Sequence, residues 1–219
     1  MRRDVRVRRR CDGCLPPVSP SCGTPSRRHA NHGPTLNALA SPIRELTRLE
    51  RGAYERHLLA LGAEDRRLRF GTPIGDSVVQ SYVAGIDFDR DALFGVMSDD
   101  LTLVAAAHLA RGADHAELGV SVLPEHRGRG FGGALLERAA LRARNWRRLK
   151  LFMHCLRENE TMMHLARRQG MDIVAEAGEA DAWLKLSQPD AASYFGEVFA
   201  QRVALFDFAL KSLRLQLHP

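Results

Sequence analysis

The segment "PEHRGRGFGGALLERAA", residues 124–140, decides how the rest of the chain is read. Two arginines and four glycines crowd into Arg127–Gly133. The sequence then turns directly into an amphipathic helical pattern through Leu135, Leu136, Ala139 and Ala143 to Trp146. The first four N–H groups of a helix lack internal partners, and the aligned peptide dipoles put partial positive charge at that end. Glycines remove the side chains that would hold a ligand off the backbone, and arginines add formal charge, so the segment reads as a cradle for a pyrophosphate. A plain basic turn ahead of an ordinary helix has the same composition; the surrounding elements separate the two. Two familiar nucleotide loops are excluded by spelling. No G-x-x-x-x-G-K-[ST] occurs. Gly128-Arg129-Gly130-Phe131-Gly132-Gly133 does contain G-x-G-x-x-G, but it follows several antiparallel-looking strands instead of opening a first βαβ unit.

Working outward, "AELGVSVLP" (116–124) predicts a strand closed by a proline that cannot continue a ladder. Before it, "ALFGVMSDD" and "LTLVAAAHLA" are apolar runs separated by Asp99-Asp100, the pattern of a hairpin with a tight polar turn. Three helical segments come earlier. "LERGAYERHLLALG" (49–62) places Leu49, Ala53, Leu58 and Leu61 toward one face, and "AEDRRLRFG" and "GDSVVQSYVAGI" follow it. Ser41-Pro42 is a start signal, with a short strand expected over Ile43 to Leu46. On the other side of the opening segment, "LKLFMHCL" reads as a buried strand and "NETMMHLARRQG" as a helix ending at Gly170. "DIVAEA" and "DAWLKL" read as two more strands. The expected fold is mixed α/β (α+β), with a mostly antiparallel central sheet flanked by helices.

These residues resemble the GNAT superfamily of acyl-CoA-dependent N-acyltransferases. The family's phosphate-loop signature, Arg/Gln-x-x-Gly-x-Gly/Ala after a strand ending V-x-P, is matched by Val122-Leu123-Pro124 and Arg127-Gly128-Arg129-Gly130-Phe131-Gly132. A second family segment, an Asn opening a helix that ends in Gly plus an apolar residue, is matched by Asn159, Gly170 and Met171. The order of elements from about residue 41 to 187 matches as well. "LGAEDRRLRFG" and "NETMMHLARRQG" look closest to the branch that includes bacterial protein-lysine acetyltransferases.

The resemblance implies an acetyl-CoA-dependent N-acetyltransferase acting on a primary amine, a protein lysine first and a small amine second. It places the pantetheine arm between "AELGVSVLP" and "LKLFMHCL", bonded to backbone near Val120 and Val122, with a strand N–H as oxyanion donor. Arg127, Gly128, Arg129, Gly130, Phe131, Gly132 and Gly133 would hold the pyrophosphate, and Asn159 would touch the pantetheine. Many members supply the leaving thiolate's proton from a Tyr seven residues after that Asn; here the position is Ala166. Glu117 is the expected base, a partly buried carboxylate with its pKa raised, and Asp114 and His115 are the fallbacks. The rival class is a non-catalytic acyl-CoA-binding or assembly module, motivated by Ala166 and the added C-terminal helix. His154 and Cys155 are read as packing residues, because neighbours on a strand point to opposite faces.

Charge and composition bound the remainder. The chain has 219 residues and a net charge of +6, but residues 1–35 carry eight Arg against Asp4 and Asp12, and the remaining 24 basic and 24 acidic residues cancel. A nucleic-acid partner is therefore not expected of the body. Residues 1–35, rich in Arg, Pro, Ser and Gly, read as a disordered tail. Cys11, Cys14, Cys22, His29 and His32 do not pair as two closely spaced ligand sets, so no metal is expected. No apolar run of membrane-spanning length occurs, and a soluble, cytoplasmic protein is the expectation. The predicted organisation is this tail, an acyltransferase domain over 36–187 and an amphipathic helix within 188–219. In that helix Phe199, Val203, Phe206, Leu210, Leu213 and Leu217 are spaced as a heptad seam. The first reading has the seam fold back on its own domain; the alternative is a homodimer. Phe195, Leu205 and Phe208 lie off the seam and suggest a second contact surface.

Overall fold

The structure is a computed structural model and describes residues 42–217. The tail and the Cys/His group at 11–32 lie outside the described residues. Strand β1 (Arg44–Glu45) is followed by helices α1 (Arg51–Leu59), α2 (Ala63–Phe70) and α3 (Asp76–Ala84), then by strands β2 (Ala92–Met97), β3 (Leu103–Arg111) and β4 (Ala116–Val122). After the glycine-rich turn come α4 (Phe131–Asn145), β5 (Lys150–Leu156), α5 (Glu160–Arg168), β6 (Asp172–Glu176), β7 (Glu179–Lys185) and α6 (Ala191–Leu217). The seven strands form one sheet in the order β1-β2-β3-β4-β5-β7-β6. Every neighbouring pair is antiparallel except β4–β5.

Alternation along the strands splits the apolar residues between two layers, because successive side chains leave opposite faces of a pleated strand. Phe94, Val96, Leu109, Leu118, Leu151 and Met153 pack beneath α4, whose Leu135, Leu136, Ala139 and Ala143 are fully buried as their spacing predicts. The other face carries Leu93, Met97, Leu103 and Ala106 against Tyr54, Leu58, Val79 and Val83 of α1 and α3.

Two expectations need correction. Leu49 is 96% exposed, because residues 48–50 form a separate tight turn, shifting the phase so that Tyr54, His57 and Leu58 turn inward. A capping pair explains the early turn: the Glu50 carboxylate accepts from the Thr47 N–H at 2.9 Å and also pairs with Arg44. The second correction concerns α6. Its inward face is Ser193, Glu197, Gln201, Ala204, Phe208 and Lys211, whereas Phe199 (71%), Phe206 (67%) and Leu217 (65%) of the heptad seam face solvent. Polar contacts fix that rotation. Glu197 pairs with Arg138 at 2.8 Å and with Arg142; Gln201 accepts from the Glu45 N–H at 3.1 Å; Lys211 donates to Met97 O at 3.0 Å. Of the off-seam residues Phe208 lies under the Arg44 guanidinium at 4.1 Å and Leu205 lines a hollow between α4 and α6, whereas Phe195 is exposed.

Candidate active site

The parallel pair β4–β5 sets the site. Its register runs through only Ala116↔Leu151 and Glu117↔Phe152, after which the strands part. Beyond Glu117, β4 stays paired to β3 through Leu118↔Leu109, Val120↔Ala107 and Val122↔Ala105, and its other edge has no ladder partner. That open edge is the backbone expected to meet an extended ligand. Val120 is 7% exposed with its side chain in the core, so it offers main-chain atoms only, and Val122 is half-buried.

The split opens toward the glycine turn. Gly128 and Gly130 adopt φ +74 and +80, a region that L side chains enter only with strain, and a Cβ built on either would meet nothing within 4 Å. Glycine is required here by the backbone path, and the space in front of it is open. The first helical hydrogen bond of α4 is Ala134 N–H to Gly130 O at 3.1 Å, leaving the amides of Phe131, Gly132 and Gly133 pointing out of the helix end. Phe131 is 8% exposed and belongs to the core, so of the residues read as the cradle it contributes an N–H and no side chain. Arg127 and Arg129 are exposed; Arg127 pairs with Asp65 of α2 at 2.7 Å and bonds Val122 O at 3.3 Å. The residues present suit a diphosphate: open amides, two guanidiniums and no acidic side chain in the first turn of α4.

Asn159 caps α5, its side-chain oxygen accepting from Met162 N–H at 3.1 Å, which leaves its NH2 group for another partner. Ala166 is fully buried in the core and supplies no proton. Glu117 stands at the last rung before the split but is exposed, so the expected partial burial of its carboxylate is not found; its position near the start of β4 leaves it in solvent. Beside it Phe152, Trp183 and His115 form an aromatic floor with ring centroids 4.4 to 5.6 Å apart. Asp114 is exposed on the preceding turn. His154 and Cys155 do leave opposite faces. His154 Nδ1 meets Asp181 at 2.9 Å, and the Cys155 thiol, pushed up in pKa by burial and by Asp181, contacts Met163.

Four side chains near the split gave no spacing signal. Arg69, at the end of α2, lies against the Gly119 backbone so closely that any Cβ there would collide with its guanidinium. It donates to the Tyr82 hydroxyl at 3.2 Å, which bonds His108 Nδ1 at 2.6 Å; His108 Nε2 faces Asp91 at 3.3 Å. The Asp91 carboxylate in turn accepts from Arg111 N–H at 3.0 Å. Burial, and then the Arg69 charge, hold the His108 pKa below its usual value. His57 is also buried, with Nδ1 donating to Leu103 O at 2.9 Å and Nε2 accepting from Ser121 Oγ at 2.8 Å. Its pKa is lowered to about 4, mainly by desolvation. The only sequence hint of either histidine's role was a polar residue inside an otherwise apolar pattern. A hollow between α4 and α6, lined by Arg138, Arg142, Asn145 and Trp146, lies away from the split. Among the described residues no cluster of His, Cys, Asp or Glu is placed to hold a metal ion, and no helix is long and apolar enough to cross a membrane.

Known structures share this fold. The GNAT domain of PAT from S. lividans is 22% identical over 66% of this chain and 89% of its own, with a TM-score of 0.57. Spermidine N-acetyltransferase from Vibrio cholerae, solved with CoA and spermine, is 20% identical over 67% and 95%, with a TM-score of 0.54. The yncA protein of Salmonella typhimurium, solved with its cofactor acetyl-CoA, is 18% identical over 68% and 97%, with a TM-score of 0.50. No curated protein sequence matches the chain. The Acetyltransferase (GNAT) family model matches residues 62–171, from the start of α2 through the β4–β5 split to the residue after α5's terminal glycine; the chain belongs to the GNAT acetyltransferase family.

Proposed function

We propose that this chain moves an acetyl group from acetyl-CoA to the nitrogen of a primary amine. The observation that carries it is the two-rung β4–β5 pairing, opened toward an amide-lined glycine turn. The neighbours solved with acetyl-CoA, and with CoA and spermine, support the same reading. Acetyl-CoA supplies the acyl group as a thioester: an N–C bond forms, the C–S bond breaks, and the sulfur leaves as a thiolate.

The chain's own residues do the rest. Arg127, Arg129 and the amides from Gly128 to Gly133 hold the diphosphate, the open edge of β4 near Val120 and Val122 bonds the pantetheine, and Asn159 offers its NH2 to the same arm. A β4 N–H beyond Glu117 stabilises the developing oxyanion. Glu117 draws the proton from the incoming ammonium, through water since it is exposed, and Ala166 leaves the thiolate to take its proton from solvent. The acceptor is a protein lysine first and a small amine second.

Mass spectrometry of proteins and amines incubated with the full chain and labelled acetyl-CoA should show N-acetylation, and calorimetry should show CoA binding. A folded chain that takes up no CoA would sink the reading; one that binds CoA and acetylates nothing would leave a binding module. A second reading concerns assembly. The exposed seam Phe199, Val203, Phe206, Leu210, Leu213 and Leu217 favours a homodimer through α6, because the helix docks on its own domain by a different face.

A further inference from the structure

Arg69 differs from several other buried or part-buried arginines. Arg66, Arg67, Arg138 and Arg142 each pair with a carboxylate. Arg69 has none within ion-pair distance among the described residues. Its partner is the Tyr82 phenol, its plane is flanked by Phe70 at 4.9 Å and Tyr82 at 5.9 Å, and its Nε is buried with no hydrogen-bond partner. The Tyr54 hydroxyl beside it is also buried and unpartnered. An inward-facing guanidinium without a counter-charge is costly, and its field reaches both His57 and His108, contributing to their lowered pKa values.

Its place in the fold gives that charge a use. The end of α2 crosses the opening between the parted strands, with Arg69 over Gly119 of β4 and Gly71 so placed that a Cβ added there would lie 3.8 Å from the His154 ring of β5. Glu117 lies on the same face of β4, two residues before Gly119, a strand separation of ~7 Å. The Asp91–His108–Tyr82 chain holds the guanidinium in that position and leaves it uncompensated.

We propose that Arg69 is an acceptor-recognition residue that binds a carboxylate on the amine substrate, so that the acceptor is an amino acid, or a peptide amine beside an acidic group, and not a polyamine. This rests on the acyl-transfer reading above. Glu117 receives the ammonium end and Arg69 the carboxylate end, a few atoms away. A polycation would set its second charge against Arg69.

The test compares 6-aminohexanoate with 6-aminohexanamide, lysine peptides having an acidic or a neutral neighbour, and spermidine, reading thiol release by the full chain with acetyl-CoA. Carboxylate members should exceed their neutral counterparts in kcat/KM by about tenfold or more, with spermidine lowest. Preference among the free amines or among the peptides tells which source is used; either supports the proposal. Arg69→Gln should reduce the ratio toward one, and Arg69→Lys should leave it in between. Equal rates for acid and amide, or spermidine above both, would overturn the proposal, and the wild-type comparison stands even if a variant fails to fold. If CoA binds but nothing is acetylated, the transfer reading fails by itself. Calorimetric titration of 6-aminohexanoate, with and without CoA, then decides: binding that Arg69→Gln removes supports the carboxylate site, and no binding by wild type refutes it.

Discussion

His57 commits both ring nitrogens inside the protein, to Leu103 O and Ser121 Oγ, and is 2% exposed. Its folded-state pKa of about 4 lies below the ordinary imidazole value of 6.5, so between those limits the unfolded chain binds the extra proton. Stability present above pH 6.5 is lost as the pH falls toward 4, by about 3 kcal/mol. Urea midpoints across that window should decline in the wild type and decline less in His57→Gln; parallel curves would show that His57 is not held neutral. For the chemistry, Glu117→Gln should lower kcat by about a hundredfold while leaving CoA affinity unchanged. Undiminished turnover would remove Glu117 as the base. The turn proposed as the cradle was legible at this scale because Gly128–Gly133 is contiguous and its geometry is a local property of the backbone. Arg69, Tyr82, His108 and Asp91 were not, since α2, α3, β3 and the turn before β2 bring them together only once the sheet has formed. Burial of Glu117 was likewise beyond a reading of alternation, which gives the face of a strand but not what covers it.

Among the elements, α4 depends most on its first turn. Gly130 caps it at φ +80, and alanine in that conformation costs ~1–2 kcal/mol. Gly130→Ala should therefore lower the unfolding free energy by that amount and weaken CoA binding as the amides rotate away. Reduced stability with unaltered CoA affinity would mean that these amides do not touch the ligand. Strands β2 to β7 and helices α2 to α5 stood out in sequence because period-two and helical patterns were cleanly bounded by Gly, Pro and Asp. Leu49 was misplaced for a local reason: Thr47 and Glu50 close a turn of their own, and helical phase begins at Arg51. In α6 the hydrophobic spacing pointed to one face, and the ion pairs of Glu197 together with the Lys211 hydrogen bond to Met97 O selected another.

For the whole molecule, the consequence is that α6 shows its most apolar stripe to solvent while anchored by charge. Sedimentation should find the wild type dimeric and Phe206→Asp monomeric, with CoA binding preserved; a wild type monomeric at every concentration would dismiss the seam as an interface. Removal from water alone would raise the Glu197 pKa, but hydrogen bonds from Arg138, Asn145 and Arg142 lower it, keeping the carboxylate charged beneath the helix.

The sheet itself is two leaves, β1–β4 and β5–β7–β6, bound along a spine of two residue pairs. Amide protons of 118–122 and 153–156 that face the gap have no ladder to shield them, so deuterium should enter there sooner than along the antiparallel rungs of either leaf. A molecule laid into the gap as an eighth strand would stitch the leaves together, and its arrival should register as slowed deuteration on both sides of the spine at once.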